Sequence, residues 1–204
     1  MSERPPLSEG AQRILHAATP LFAAKGYSGV SISDIASAVG SSKANIFHHF
    51  PNKRALYLES IRAACSKLRY EHERMSADEA ASRSHLAAMA GQRLQQMFED
   101  PWAVRLILRE VFVGEKGIDR SLVAEILHQS FGHFVDQVRQ EQRRGHLRSD
   151  IEPLFLAVII IALNNFFFQS WSILERFEEF RGFGTAADCA DATYDMLSKG
   201  LMSP

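Results

Sequence analysis

The stretch SISDIASAVGSSKANIFHHFPNK, residues 31–53, decides the fold because it encodes two short helices on either side of a glycine. Ser31 is a favoured N-cap, and the apolar residues after it recur at helical spacing as far as Val39. Gly40 can adopt the left-handed backbone that ends this helix, and Ser42 can cap a second one. The sequence therefore predicts a helix-turn-helix.

The second of these helices has one apolar and one polar face. Ile46 and Phe50 lie four residues apart and are expected in the core. The other face suits a DNA groove, because lysine can donate to guanine or phosphate, asparagine can pair with adenine, and alanine or phenylalanine can contact a thymine methyl. Pro51 blocks continuation of the helix, and Asn52 can cap the next one. From the pattern alone, a helical hairpin with a solvated polar face is the alternative.

A set of short motifs near the N-terminus is shared with a known family. The motifs are GY at 26–27, SISDIA at 31–36, VG at 39–40, SK at 42–43, IFHHFPNK at 46–53 and LY at 56–57. Together they resemble the N-terminal domain of the tetracycline-repressor (TetR) family of transcription regulators. The resemblance implies an all-α protein of about nine helices, with a three-helix helix-turn-helix DNA-binding domain at 1–51 and a helical effector-binding and dimerisation domain at 52–204.

The residues expected to contact DNA lie on and beside the second helix of the motif. The predicted set is Ser33, Ser42, Lys43, Ala44, Asn45, Phe47, His48, His49 and Lys53. Of these, Ser33, His49 and Lys53 are expected to contact the backbone and set the register. The family commonly has tyrosine where this chain has Phe47, and glycine-threonine where it has Ala44 and Asn45. Phe47 lacks the tyrosine hydroxyl that could contact a phosphate. Asn45 could shift base preference toward adenine.

The remaining sequence predicts one helix after another. The first helix ends at Gly26 and contains Pro20, which either bends the helix or is compensated by packing. A long fourth helix is expected to connect the DNA-binding domain to the body, and a break is predicted near residues 76–78. Asp150 and Pro153 are predicted to open the eighth helix.

The last two helices are predicted to form a homodimer. Residues 154–163 are apolar on nearly all sides, so this helix needs cover from several directions. Small residues in the ninth helix, such as Ala190 and Ala192, would allow close packing. The TetR resemblance implies the same interface, and a two-fold dimer would place two recognition helices about 34 Å apart, as successive major grooves require. The alternative is that 154–163 is the central helix of a monomer.

Aromatic side chains are concentrated in the predicted second domain. They could line an apolar cavity with a few polar anchors, or they could form an ordinary core. The TetR resemblance implies a small-molecule effector that releases DNA, and the composition favours an apolar or aromatic one. The predicted ligand-binding residues are Arg93, Phe98, Trp102, Phe112, His128, Phe131, Phe134, Asn165, Phe168 and Gln169.

Composition and charge limit the other possibilities. The formal net charge is -1; residues 1–60 hold six basic and four acidic residues, or +2, which favours a local basic patch over a broadly basic surface. Cys65 and Cys189 lack ligand-like spacing, so no metal, cofactor or disulfide framework is expected. The N-terminus lacks a secretory pattern, and the longest apolar run is shorter than the ~20 residues that span a bilayer. We therefore expect a cytoplasmic protein without a membrane segment.

The sequence favours a ligand-responsive DNA-binding regulator, most simply a repressor that binds a palindromic operator as a dimer. A DNA-binding regulator whose C-terminal domain serves only dimerisation or a protein partner is the alternative. An enzyme is disfavoured and no catalytic residue is predicted, because neither cysteine has a positioned base and the histidines are scattered.

Overall fold

The computed structural model describes residues 7–68, 85–115 and 117–201, and these ranges are helical with no strand. The predicted all-α fold class is confirmed, whereas the break predicted near 76–78 lies outside the described residues. The helices are α1 (Glu9–Lys25), α2 (Ile32–Val39), α3 (Lys43–His49), α4 (Lys53–Lys67), α5 (His85–Glu99), α6 (Pro101–Phe112), α7 (Arg120–Arg143), α8 (Pro153–Leu174) and α9 (Ala186–Leu201), with a 3-10 helix at Glu178–Phe183.

Local capping forms the helix-turn-helix as predicted. The hydroxyl of Ser31 accepts from the Asp34 N–H at 3.1 Å, and the Asp34 carboxylate accepts from the Ser31 N–H at 2.8 Å. α2 ends at Gly40, whose φ of 67° and ψ of 42° are left-handed. The hydroxyl of Ser42 then accepts from the Asn45 N–H at 3.2 Å and caps α3. All these bonds join near neighbours in the chain, which is why the sequence predicts them.

The described residues form two compact units. The first contains α1 to α4, α6 and the start of α7; the second contains α5, the rest of α7, α8 and α9. In the first unit α1 packs against α2, α3, α4 and α6, around a core that includes Phe22, Ile35 and Leu56. The packing thus groups α4 and α6 with the helix-turn-helix. The domain boundary between residues 51 and 52 stays a prediction.

Pro20 lies inside an intact α1. Proline has no N–H, so it cannot donate to the carbonyl of His16 four residues earlier. The hydroxyl of Thr19 donates to the carbonyl of Leu15 at 2.8 Å, and the helix continues to Lys25. Pro20 therefore does not end the helix.

A buried polar cluster ties the helices of the second unit together. Asn164 of α8 is fully buried; its Nδ2 donates to the carbonyl of Ala90 in α5 at 2.9 Å. Its Oδ1 accepts from the hydroxyl of Tyr194 in α9 at 2.7 Å. That hydroxyl also lies 3.0 Å from the carbonyl oxygen of Ile160. Since a buried amide without partners would be destabilising, these bonds favour one register for the three helices.

The other face of α8 is apolar and exposed in the single chain. The exposed fractions of Leu154, Phe155, Val158, Phe166 and Ile173 are between 45% and 60%. The apolar run seen in the sequence ends before two asparagines, but the helix itself continues through them and is 22 residues long. By length and composition alone, α8 could cross a membrane. A helix in the core of a soluble protein can have the same length and composition.

The start of α8 differs from the prediction for Asp150. α8 begins at Pro153, as expected, but its N-cap residue is Glu152 and no side chain caps it. The carboxylate of Asp150 instead accepts from Nε of Arg148 at 2.7 Å. The prediction for Asp150 is therefore wrong, because Asp150 lies two residues before Glu152, the N-cap that directly precedes Pro153.

Candidate nucleic-acid interface

The outer face of α3 is exposed and its inner face is anchored. Ile46 is fully buried and Phe50 is 4% exposed, which fixes the helix in the core of the first unit. On the outer side, Phe47 is 47% exposed. The predicted contact residues on that side are all exposed, namely Ser42, Lys43, Ala44, Asn45, Phe47 and His48. A helix held from inside with its polar face outward has the form that enters a major groove.

Asn45 is oriented by the turn before α3. Its Nδ2 donates to the hydroxyl of Ser41 at 2.9 Å, which occupies one of its two N–H donors. The second N–H and Oδ1 remain, and these are the kinds of group that pair with an adenine edge. Because the side chain is already ordered, contact with a base would lose less rotamer freedom.

His49 links α3 to the start of α1. Its Nδ1 lies 3.4 Å from the hydroxyl of Ser8, the N-cap of α1. A Cβ on Gly10 would lie 2.7 Å from Nε2 of His49, so the ring occupies space left by the missing side chain. The ring of His48 lies 5.1 Å away, centroid to centroid. This contact between α1 and α3 was not predicted, since residues 8 to 10 carry no local signal for it.

Lys53 is bonded within the first unit. Its Nζ donates to the carbonyls of Tyr27 at 2.9 Å and Val30 at 3.0 Å, and lies 4.1 Å from the centroid of the Tyr27 ring. Two of its three N–H donors thus hold the loop between α1 and α2, and one remains. Ser33 in α2 is partly exposed. Phosphate contacts from both residues stay predictions, and Lys53 has an internal role that the sequence did not reveal.

A buried carboxyl group joins α4 and α6. Glu110 is 6% exposed and accepts a short hydrogen bond from the hydroxyl of the fully buried Tyr57. Burial raises the pKa of Glu110; the bond from Tyr57 opposes this shift, and the charge of Glu115 adds to it. Nearby, Nε of Arg109 donates to Oε1 of Glu115 at 2.5 Å. Sequence reasoning missed this pair because its members lie 53 residues apart.

The predicted ligand-binding residues are divided between the two units. Trp102, Phe112 and His128 belong to the first unit, and the other seven belong to the second. Phe112 is 73% exposed. The ten residues therefore do not share one compact unit, and ligand contacts from any of them remain a prediction.

Some of these residues do meet within the second unit. The ring of Phe98 lies 5.4 Å from that of Phe168 and 6.5 Å from that of Trp171, centroid to centroid. The guanidinium of Arg93 lies 5.0 Å from the centroid of the Phe134 ring. Among the remaining predictions in this unit, Phe131 and Asn165 are partly buried and Gln169 is exposed.

Both cysteines are buried free thiols. Burial raises the pKa of Cys189, which disfavours the reactive thiolate. Within the described ranges, no group of three or more His, Cys, Asp or Glu side chains could hold a metal ion.

Comparison with known proteins identifies the family. Residues 14–60 match the family model described as bacterial regulatory proteins, tetR family. The HTH-type transcriptional repressor AcnR of Corynebacterium jeikeium (strain K411) is 27% identical over 152 residues, which cover 72% of each chain. The N-terminal part of this chain is a tetR-family domain. This match confirms the TetR resemblance of the N-terminal motifs, and together with the likeness to AcnR it supports a DNA-binding transcription regulator rather than an enzyme.

Solved structures extend the likeness over nearly the whole chain. MexZ, a repressor responsible for antibiotic resistance in Pseudomonas aeruginosa, has a TM-score of 0.66 at 21% identity, covering 96% of both chains. AibR, solved in complex with isovaleryl coenzyme A and operator DNA, has a TM-score of 0.57 at 17% identity, covering 92% of this chain and 97% of that one. At such identities the likeness shows the TetR fold.

Proposed function

We propose that this TetR-family regulator is a cytoplasmic homodimeric repressor that binds a palindromic operator through α3 and is released by a small apolar or aromatic effector. The observation that carries the proposal is the exposed polar side of α3, opposite the buried Ile46 and Phe50. The effector would act by binding more tightly to a dimer whose recognition helices no longer fit successive grooves.

The residues of α3 divide by what they can contact. Lys43 and Asn45 offer donors and an acceptor for base edges, while Ala44 and Phe47 offer apolar contact to a thymine methyl. Backbone contacts fall to the residues beside them, which set the register without discriminating sequence. The contacts proposed for the backbone come from Ser33, Ser42, His48, His49 and Lys53.

Alanine substitution of Lys43 and Asn45 tests this division. Each change should weaken operator binding by about 1–3 kcal/mol and weaken binding to random DNA much less. The control is Lys25→Ala, which removes an exposed charge at the far end of α1. The measurement is competition between operator and random DNA across a salt series. Equal losses on both DNAs would contradict base recognition by these residues.

The apolar outer face of α8 supports the homodimer. In α9, Met196 is also exposed, at 64%. A soluble protein rarely leaves so many large apolar side chains in one helix uncovered. A second copy related by a two-fold axis would cover the face with the same surface, and it would present two copies of α3 to a palindrome.

The aromatic group in the second unit supports an apolar or aromatic effector. Phe98, Phe168 and Trp171 stack edge to face, and such rings can be separated by a flat ligand. Phe168→Ala should therefore reduce the response of the operator complex to an apolar aromatic inducer found by screening. Phe177→Ala, at a ring that is 53% exposed beyond the end of α8, is the control.

A second candidate is a DNA-binding regulator whose second unit serves only dimerisation or a protein partner. The observation in its favour is that Asn164 and Tyr194 bond to each other and to backbone carbonyls, so these polar groups are already satisfied. Under this function, no small molecule should change operator affinity while the dimer stays intact.

A further inference from the structure

The first unit contains a partly open cavity of about 440 Å³ between α1, α4 and the start of α6. Its inner wall is apolar and is made by Leu15, Ala64 and Ala103, which are all buried. The cavity exists because alanines stand where longer side chains would fill the space. Ala63 adds a further small residue on α4. Its volume falls in the range of small-molecule sites, roughly 300–1,000 Å³.

The outer edge of this cavity is cationic. Among the described residues that line the cavity, Arg13, His16 and Lys67 are basic and none has a carboxylate. The ammonium of Lys67 is ion-paired with Asp100, whose carboxylate also accepts from the Ala103 N–H at 3.1 Å. Arg13 is exposed and has no ion pair within the described ranges. A guanidinium is therefore available beside an apolar wall.

We propose that this cavity binds a small amphipathic carboxylate, with its aryl or branched apolar group on the alanine wall and its carboxylate on the guanidinium of Arg13. Arginine suits this role because its planar N–H groups can bond both oxygens of one carboxylate. The hydroxyl of Thr19, which donates to the carbonyl of Leu15, can accept a bond from a polar substituent.

This site is separate from the effector site proposed for the second unit. All residues that line the cavity belong to the first unit, which also holds α3. Leu7, which lines the cavity, precedes Ser8, which contacts His49 of α3. A bound ligand would therefore lie beside the residue that precedes the Ser8–His49 contact, and its binding should be linked to DNA affinity.

Calorimetric titration of the full-length protein with naphthylacetate and its uncharged amide, naphthylacetamide, tests the proposal. Naphthylacetate should bind with a dissociation constant below about 1 mM, and the amide about tenfold more weakly. Arg13→Met should weaken naphthylacetate binding about tenfold, whereas Lys25→Met, which removes a charge from the same helix outside the cavity, should leave it unchanged. Ala63→Leu, which fills the cavity, should abolish binding of both compounds.

The outcomes separate this site from the effector site. Arg13 is exposed, so Arg13→Met should fold normally even where Ala63→Leu does not. Absence of binding, or equal binding in wild type and Arg13→Met, would overturn the proposal. Binding lost only on Phe168→Ala would also overturn it and would place the compound in the second unit. Operator affinity without ligand should be the same for wild type and Arg13→Met, so failure of this site would leave the proposed regulator intact.

Discussion

At the scale of single residues, Lys53 combines an internal role with a proposed DNA contact. Lys53→Met removes the donor from two carbonyls, one of them in the buried Val30, so the free energy of unfolding should fall by about 1–3 kcal/mol. If its third N–H contacts phosphate, the slope of log affinity against log salt should fall by about one. Chemical denaturation and a salt series measure the two effects independently.

Lys43→Met is the control for Lys53→Met, because Lys43 is exposed on α3. It should leave the free energy of unfolding unchanged. An unchanged stability for Lys53→Met would contradict the role in the loop, and an unchanged salt slope would contradict the phosphate contact.

Glu110 should make stability depend on pH. Because its pKa in the folded state is raised above the ordinary value of 4.5, the folded protein holds this proton more tightly than the unfolded chain. Its stabilising contribution is complete below pH 4.5 and is lost as pH rises through the folded pKa. Glu110→Gln keeps an acceptor for Tyr57 without a charge, so it should gain stability relative to wild type between acidic and neutral pH. Denaturation curves across this range test it, and a constant difference would contradict the assignment.

Residue contacts were predictable where partners are close in sequence. The Ser31 cap and the burial of Ile46 follow from spacing within α2 and α3. The partners of Lys53 lie 23 and 26 residues away, and Tyr57, the partner of Glu110, lies 53 residues away. Such pairs depend on how helices pack, which a single sequence does not specify.

At the scale of the helices, the contact between α1 and α3 should be sensitive to one methyl group. Gly10→Ala would place a Cβ against the ring of His49, which can rotate away at little energetic cost. Alanine also favours helix by about 1 kcal/mol, so stability should not fall, whereas operator affinity should decrease as His49 moves. Gly132→Ala in α7, where a Cβ meets nothing within 4 Å, should raise stability without changing operator affinity.

Denaturation of the two glycine variants measures their stability, and operator titration measures their affinity for DNA. Equal operator affinity for Gly10→Ala and wild type would show that the position of His49 does not matter for DNA binding.

Helix positions were more predictable than helix neighbours. The ends of α2 and α3 were predictable because caps and glycines act within one turn of helix. The prediction that Asp150 opens α8 was wrong because Asp150 lies two residues before the N-cap residue. The predicted ligand set joined aromatic residues by composition, and the structure divides them between two units. Composition carries no information about which helices pack together.

At the scale of the whole molecule, the exposed face of α8 should determine the oligomeric state. Phe155→Glu together with Phe166→Glu would place two charges in the proposed interface, so the protein should sediment as a monomer and lose most operator affinity. Phe112→Glu, at a ring that is 73% exposed in the first unit, should remain dimeric. A dimeric double variant, measured by analytical ultracentrifugation, would contradict an interface on this face.

The all-α class follows from the sequence because the helix-turn-helix motif is dense and local, and the remaining sequence has helical periodicity. The exposed stripe of α8 was less predictable: the sequence shows an apolar helix on nearly all sides, but only packing shows which side is left uncovered.

We propose that this protein binds a specific DNA sequence as a dimer through α3. The most direct test is selection of fragmented DNA from the source genome on the purified protein, followed by footprinting across a salt series. We expect enrichment of one palindromic site whose half-sites are centred about 34 Å apart, with strong preference over random DNA. Salt-sensitive binding without a preferred site would contradict the claim.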